Sequence, residues 1–165
     1  MKKKYSLAVL AIAGFSCLMS CKKTDAPPPN AEKNLSFDMI SAKTAIETQG
    51  EIFVSAMNKR DSVGIANCYT TDAKLMQPNA NVTVGRQNIQ KVFGQWMKAG
   101  LPKFAMKTVE VWGNENEMMA EEEWTFSDNE GKVLDKGKSL ELFKMENGKW
   151  KLHRDCYNSD MPLAK

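Results

Sequence analysis

The chain has 165 residues, with 23 basic and 20 acidic side chains, one histidine and a formal charge of +3. Three of the lysines lie within residues 1–20, which hold no acid, so the remainder carries 20 residues of each sign. A neutral chain without Lys/Arg clusters interleaved with aromatics offers no footprint for nucleic acid, which excludes that class of partner.

Lys2, Lys3 and Lys4 precede an apolar run over residues 7–19, too short for a permanent bilayer span. This is the basic-then-apolar plan of an export signal. The run ends in Leu18-Met19-Ser20-Cys21, which resembles a bacterial lipobox: an apolar residue, a small residue just before the cysteine, then the cysteine itself. That resemblance implies cleavage before Cys21, lipid on its sulfur, and a membrane-anchored lipoprotein on the exported side of a bacterial envelope. An ordinary signal cut elsewhere and a single membrane anchor are the alternatives. Residues 22–36 include Pro27, Pro28 and Pro29 among small polar residues and read as an extended tether. A domain over residues 37–160 follows, with a tail at 161–165, enough chain for one core. Cys17 leaves with the signal. Cys68 and Cys156 remain where a disulfide can form, but a single distant pair is not a disulfide framework, and two buried free thiols are expected.

Ser36 or Asp38 caps a predicted helix to about Lys59, with Ile46, Gly50, Phe53 and Met57 at helical spacing. Gly50 within that stripe points to close packing. Asp61 or Ser62 caps a short helix ending near Tyr69. Residues 72–78 are extended, and 79–81 form a turn. Gly85-Arg86-Gln87 opens a third helix with Ile89, Val92, Phe93 and Trp96 on one face; Gly100 and Pro102 stop it. Strands follow at about 104–112, 117–126, 132–145 and 149–158, the last two joined at Asn147-Gly148. Helices first and strands afterwards predict an α+β fold: a curved antiparallel sheet wrapped over three N-terminal helices, enclosing a conical cavity.

The last predicted strand holds the only histidine, and a period of two sets His153, Asp155 and Tyr157 on one face, with Trp150, Leu152 and Cys156 on the other. In the strand over 117–126, alternation groups Glu122 with Met118, Ala120, Trp124 and Phe126, and sends Glu121 and Glu123 to solvent unless a bulge intervenes. Tyr69, Met76, Phe93 and Trp96 either line a small-molecule cavity or fill the core. No Ser-His-Asp arrangement, phosphate loop, dinucleotide fingerprint or Cys-x-x-Cys occurs, so no cofactor is expected. One histidine without a spacing signature gives no metal assignment.

The stretch FVSAMNKRDSVGIANCYTTDAKLMQP, residues 53–78, with Gly85-Arg86 after it, is similar to the SnoaL-like and ketosteroid isomerase group of the nuclear transport factor 2-like superfamily. The closing GKWKLHRDCYNSD, residues 148–160, resembles the last strand of exported SnoaL-like proteins. Ketosteroid isomerases use an aspartate base, with a tyrosine and a protonated aspartic acid stabilising the enolate. Carried over without gaps, the tyrosine position falls on Phe53 and the base on Gln77. The third position falls on Glu141, allowing a turn one residue shorter. A phenyl ring has no hydroxyl and an amide takes no proton near neutral pH, so steroid-type isomerisation is not expected.

The same alignment implies that His153, Asp155 and Tyr157 line the cavity beside Glu141. Two readings stay open. In one, the cavity binds a small, largely apolar molecule through Phe53, Tyr69, Gln77, Trp96, Glu122 and Tyr157. In the other, His153 and Asp155, assisted by Glu141, serve a cofactor-independent isomerase, cyclase or hydrolase. The resemblance also implies a homodimer joined through the outer sheet face.

Overall fold

The computed structural model describes residues 37–162. The expected export signal, the expected lipidation at Cys21 and the expected tether fall outside the described residues. The Asp38 carboxylate accepts from the backbone N–H groups of Ile40 and Ser41 and sets the start of α1, Met39–Asn58. A Cβ at Gly50 would lie 3.3 Å from the Met106 methyl, so the glycine lets α1 settle closely on the sheet. Asp61 caps α2, Ser62–Asn67, through the Gly64 N–H. The chain turns extended at once into β1, Tyr69–Met76, earlier than predicted. A two-residue strand that the sequence did not announce, β2 (Thr83–Val84), leads to α3, Arg86–Lys98. The four long strands are β3 (Lys103–Gly113), β4 (Glu117–Ser127), β5 (Val133–Glu146) and β6 (Lys149–Ser159). Their bounds fall within about two residues of the predicted ones.

The six strands form one sheet in the order β2-β1-β6-β5-β4-β3. Every neighbouring pair is antiparallel except β1 and β6, which run parallel, so the last strand sits inside the sheet rather than at its edge. The α+β class is as expected, with this one parallel pair added. The helices cover one face, where Ile46, Met57, Ile65, Tyr69, Ile89 and Met118 are almost completely buried. Cys68 and Cys156 are both free thiols, but only Cys68 is buried, and Cys156 is exposed on the opposite sheet face. Among the described residues no helix is long and apolar enough to cross a membrane.

Candidate functional site

The site begins with an irregularity in β6. Leu142 pairs with Arg154 while its neighbour Phe143 pairs with Leu152, which leaves His153 as an extra residue, a β-bulge. The bulge resets the alternation. Trp150 and Leu152 before it, and Asp155 and Tyr157 after it, all turn to the helix-covered face. His153 turns the other way. Its Nδ1 lies 3.0 Å from the Thr70 hydroxyl and 3.5 Å from an Asp72 carboxylate oxygen. Burial and the Arg154 and Lys144 charges hold its pKa below the usual 6.5, against Asp72 and Glu117. The expected His153–Asp155 pair is therefore not formed, because one inserted residue separates the two side chains onto opposite faces.

Asp155 and Glu141 do meet. They are directly opposed in the β5–β6 register, and both are 5% exposed. The Tyr69 hydroxyl donates to Asp155 Oδ2, and the Ser139 hydroxyl donates to Glu141 Oε1 at 3.2 Å. Burial raises Asp155 to about 6, with the tyrosine hydrogen bond opposing. Glu141 is pushed well above its ordinary value by burial, then by the Asp155 and Glu122 charges. Both carboxyls are thus held above their ordinary values, and the opposed pair can share one proton more readily than two free acids. Such a pair offers a proton acceptor and a proton donor side by side.

These two groups form part of the wall of a cavity of about 70 Å³. Helix α1 contributes Phe53 and Met57, α3 contributes Phe93 and Trp96, and β3 contributes Phe104 and Met106. The remaining wall is Leu75 on β1, Trp124 and Phe126 on β4, Ser139 on β5 and Tyr157 on β6. Edge-to-face contacts fix the rings: Phe53 on Phe93 at 5.8 Å and Trp124 on Tyr157 at 6.0 Å. The buried Trp124 Nε1–H has no hydrogen-bond partner.

Of the expected ligand-binding residues, Phe53, Trp96 and Tyr157 line the cavity. Tyr69 is fully buried behind the wall and acts on the site through Asp155. Gln77 does not reach the cavity. Its amide donates to the Thr83 hydroxyl at 3.4 Å across the β1–β2 turn, so the ungapped carry-over misplaces it. Glu122 lies in an adjoining cleft between α1 and the sheet, beside Glu47, Gly50 and Glu51. It is 1% exposed; Oε1 accepts from Thr108 at 3.0 Å, while Oε2 has no partner. Burial raises its pKa to about 7. Phe104, Met106 and Ser139 were not anticipated as lining residues, although their burial on alternate strand positions was readable in principle.

The family model of the SnoaL-like domain matches residues 51–153. A ketosteroid isomerase-like protein from Erwinia carotovora atroseptica superposes with a TM-score of 0.62 at 21% identity, covering 72% of this chain and 96% of that one. A cystatin-like domain of unknown function from Nostoc punctiforme gives 0.68 at 12% identity, covering 76% and 82%. An NTF-2 like protein of unknown function from Shewanella oneidensis gives 0.58 at 14%, covering 70% and 97%. At these identities the structural likeness establishes the fold alone. No curated protein matches the sequence. The matched span runs from α1 through the β-bulge of β6 and takes in most of the cavity wall, and by that match the chain belongs to the SnoaL-like domain family.

Proposed function

We propose that this domain binds a small molecule with a largely apolar body, without ketosteroid isomerase-type catalysis, and is held at the exported side of a bacterial envelope by lipid on Cys21. The observation that carries the binding reading is an internal space of about 70 Å³ walled by seven aromatic side chains, with the buried carboxyls of Asp155 and Glu141 among them. A concave, mostly apolar space with a few polar groups on its wall is the ordinary form of a small-molecule site. Burial raises the Glu141 carboxyl on this wall well above its ordinary value, which favours a form able to donate to a ligand oxygen. About 10–15 Å³ of such space holds one water, so the cavity suits a ligand of about five to seven heavy atoms. Phe53, where an isomerase has its tyrosine, brings no hydroxyl to this wall, which supports the absence of that chemistry.

Titration of the full-length chain with a panel of cyclic ketones and alcohols of this size, followed by tryptophan fluorescence, should give saturable binding. Trp96→Ala, which removes one ring from the wall, should weaken binding across the panel by about tenfold. Absence of saturation across the panel at millimolar concentration would refute the cavity reading. The anchor has its own test. Metabolic labelling with a fatty-acid analogue should mark the chain, persist in Cys17→Ala and disappear in Cys21→Ala; label retained in Cys21→Ala removes the lipoprotein.

A further inference from the structure

We infer that the cavity selects a compact organic cation of the methylated-ammonium kind over a neutral molecule of the same shape; this rests on the cavity being a ligand site, as proposed above. Seven aromatic rings line the space. Their faces carry the negative part of the ring quadrupole, which attracts a cation, and cages of this composition suit quaternary ammonium groups. The polar part of the wall has the same sign. Asp155 and Glu141 face the space, and Glu122 on β4 lies close enough to Glu141 for its charge to act there. No lysine, arginine or histidine is among the lining residues described.

The charge balance of the wall is therefore incomplete. A buried carboxylate is costly unless paired. Asp155 is buried, and its side-chain partner is a neutral hydroxyl, that of Tyr69. The structure elsewhere places cations where they are matched: Arg86 with Glu146, Lys138 with Asp160 and Lys144 with Glu117. All three pairs lie outside the cavity wall. A ligand cation would supply the missing counter-charge. A methylated ammonium does so with methyl groups turned outward, which suits walls of phenyl, indole and thioether groups. An anionic ligand would meet the buried acids of the wall and no cationic side chain among the lining residues described.

The groups that face Asp155 are Tyr69 from β1, Glu141 from β5 and Tyr157 on β6 itself; the lining residues of α1, α3 and β3 carry no titratable group. Binding of a cation should therefore follow the ionisation of Asp155. His153, whose pKa burial holds below 6.5, lies on the other face of the sheet.

The decisive pair of probes is choline and its neutral isostere, in which a quaternary carbon replaces the nitrogen and the hydroxyl is kept. Calorimetry on the full-length chain should give choline an advantage of at least about tenfold. That advantage should fade as the pH falls below about 6, where Asp155 takes up a proton, and the isostere should not respond. Asp155→Asn keeps an acceptor for Tyr69 and should abolish the preference. If that variant does not fold, the pH series on the unaltered chain decides. Equal or tighter binding of the isostere overturns cation selection and leaves the cavity reading standing. Binding of neither probe at millimolar concentration overturns both.

Discussion

Glu122→Gln should raise the thermal unfolding midpoint at pH values above about 7 and bring no gain in mild acid, below the ordinary glutamate value of 4.5. The sign follows from the proton balance. Burial raises the native pKa of Glu122 from 4.5 to about 7, so between these values the native chain holds a proton that the unfolded chain has released. Its contribution to stability is fully present below 4.5 and is lost as the pH rises through about 7. The loss amounts to about 3 kcal/mol once the carboxylate is forced to ionise inside the protein. Glutamine keeps the acceptor for Thr108 and carries no charge. It places an amide NH₂ where Oε2 has no partner, which costs about 1–2 kcal/mol. The net gain in alkali is about 1–2 kcal/mol, or roughly 5 °C for a domain of this size.

Asp155 and Glu141 are raised in the same direction and add to the decline with pH. His153 has the opposite sign: its lowered pKa costs stability as the pH falls through 6.5. Asp72 and Glu146, whose values are lowered, lose their contributions in stronger acid. The parent chain should therefore be most stable in mild acid, and circular dichroism melts of parent and variant across this range measure both statements. Identical melts of the two at every pH would mean that Glu122 is not held in its buried, half-partnered state.

The helices and the long strands were legible because periodicity alone specifies them. Ile46, Phe53 and Met57 repeat at helical spacing on α1, and all three are buried. Alternation on β4 correctly separated buried Glu122 from exposed Glu121 and Glu123. Two features were hidden for one reason: each depends on what a strand pairs with, which local sequence does not carry. The parallel partnership of β1 with β6 joins segments far apart in the chain. The bulge at His153 exists only relative to β5, and a single extra residue inverts the face of everything beyond it. Strict alternation therefore joined His153 to Asp155, when Leu152 and Asp155 are the residues that share a face. Gln77 failed similarly, since β1 shifts register between Tyr69 and Lys74 and an ungapped count cannot follow it. Glu141 was reached from the family pattern, and its partner Asp155 from the hairpin, so half of the acid pair came from each line of reasoning.

Gly137→Ala should destabilise the chain by about 3 kcal/mol, at the upper end of what overpacking costs. Gly137 lies on β5 opposite Trp124 of β4 and Ser159 of β6. A Cβ there would stand 2.0 Å from the Asn158 carbonyl oxygen and 2.4 Å from Trp124 Cζ2. Neither neighbour can retreat freely. The carbonyl belongs to the backbone of the adjoining strand, and the indole is braced by Phe126 at 5.7 Å and Tyr157 at 6.0 Å. The methyl must then either part β5 from β6 or drive the indole from its place in the cavity wall. Gly94→Ala separates this clash from the general effect of replacing glycine, because its Cβ would meet only Ser62 at an ordinary 3.8 Å inside α3. That change should be neutral or stabilising by up to about 1 kcal/mol. Urea unfolding of both variants gives the comparison, and parent-like stability of Gly137→Ala would show that the indole does not rest on the glycine. Any Gly137→Ala protein that does fold should also bind cavity ligands more weakly, since the ring displaced is part of the cavity wall.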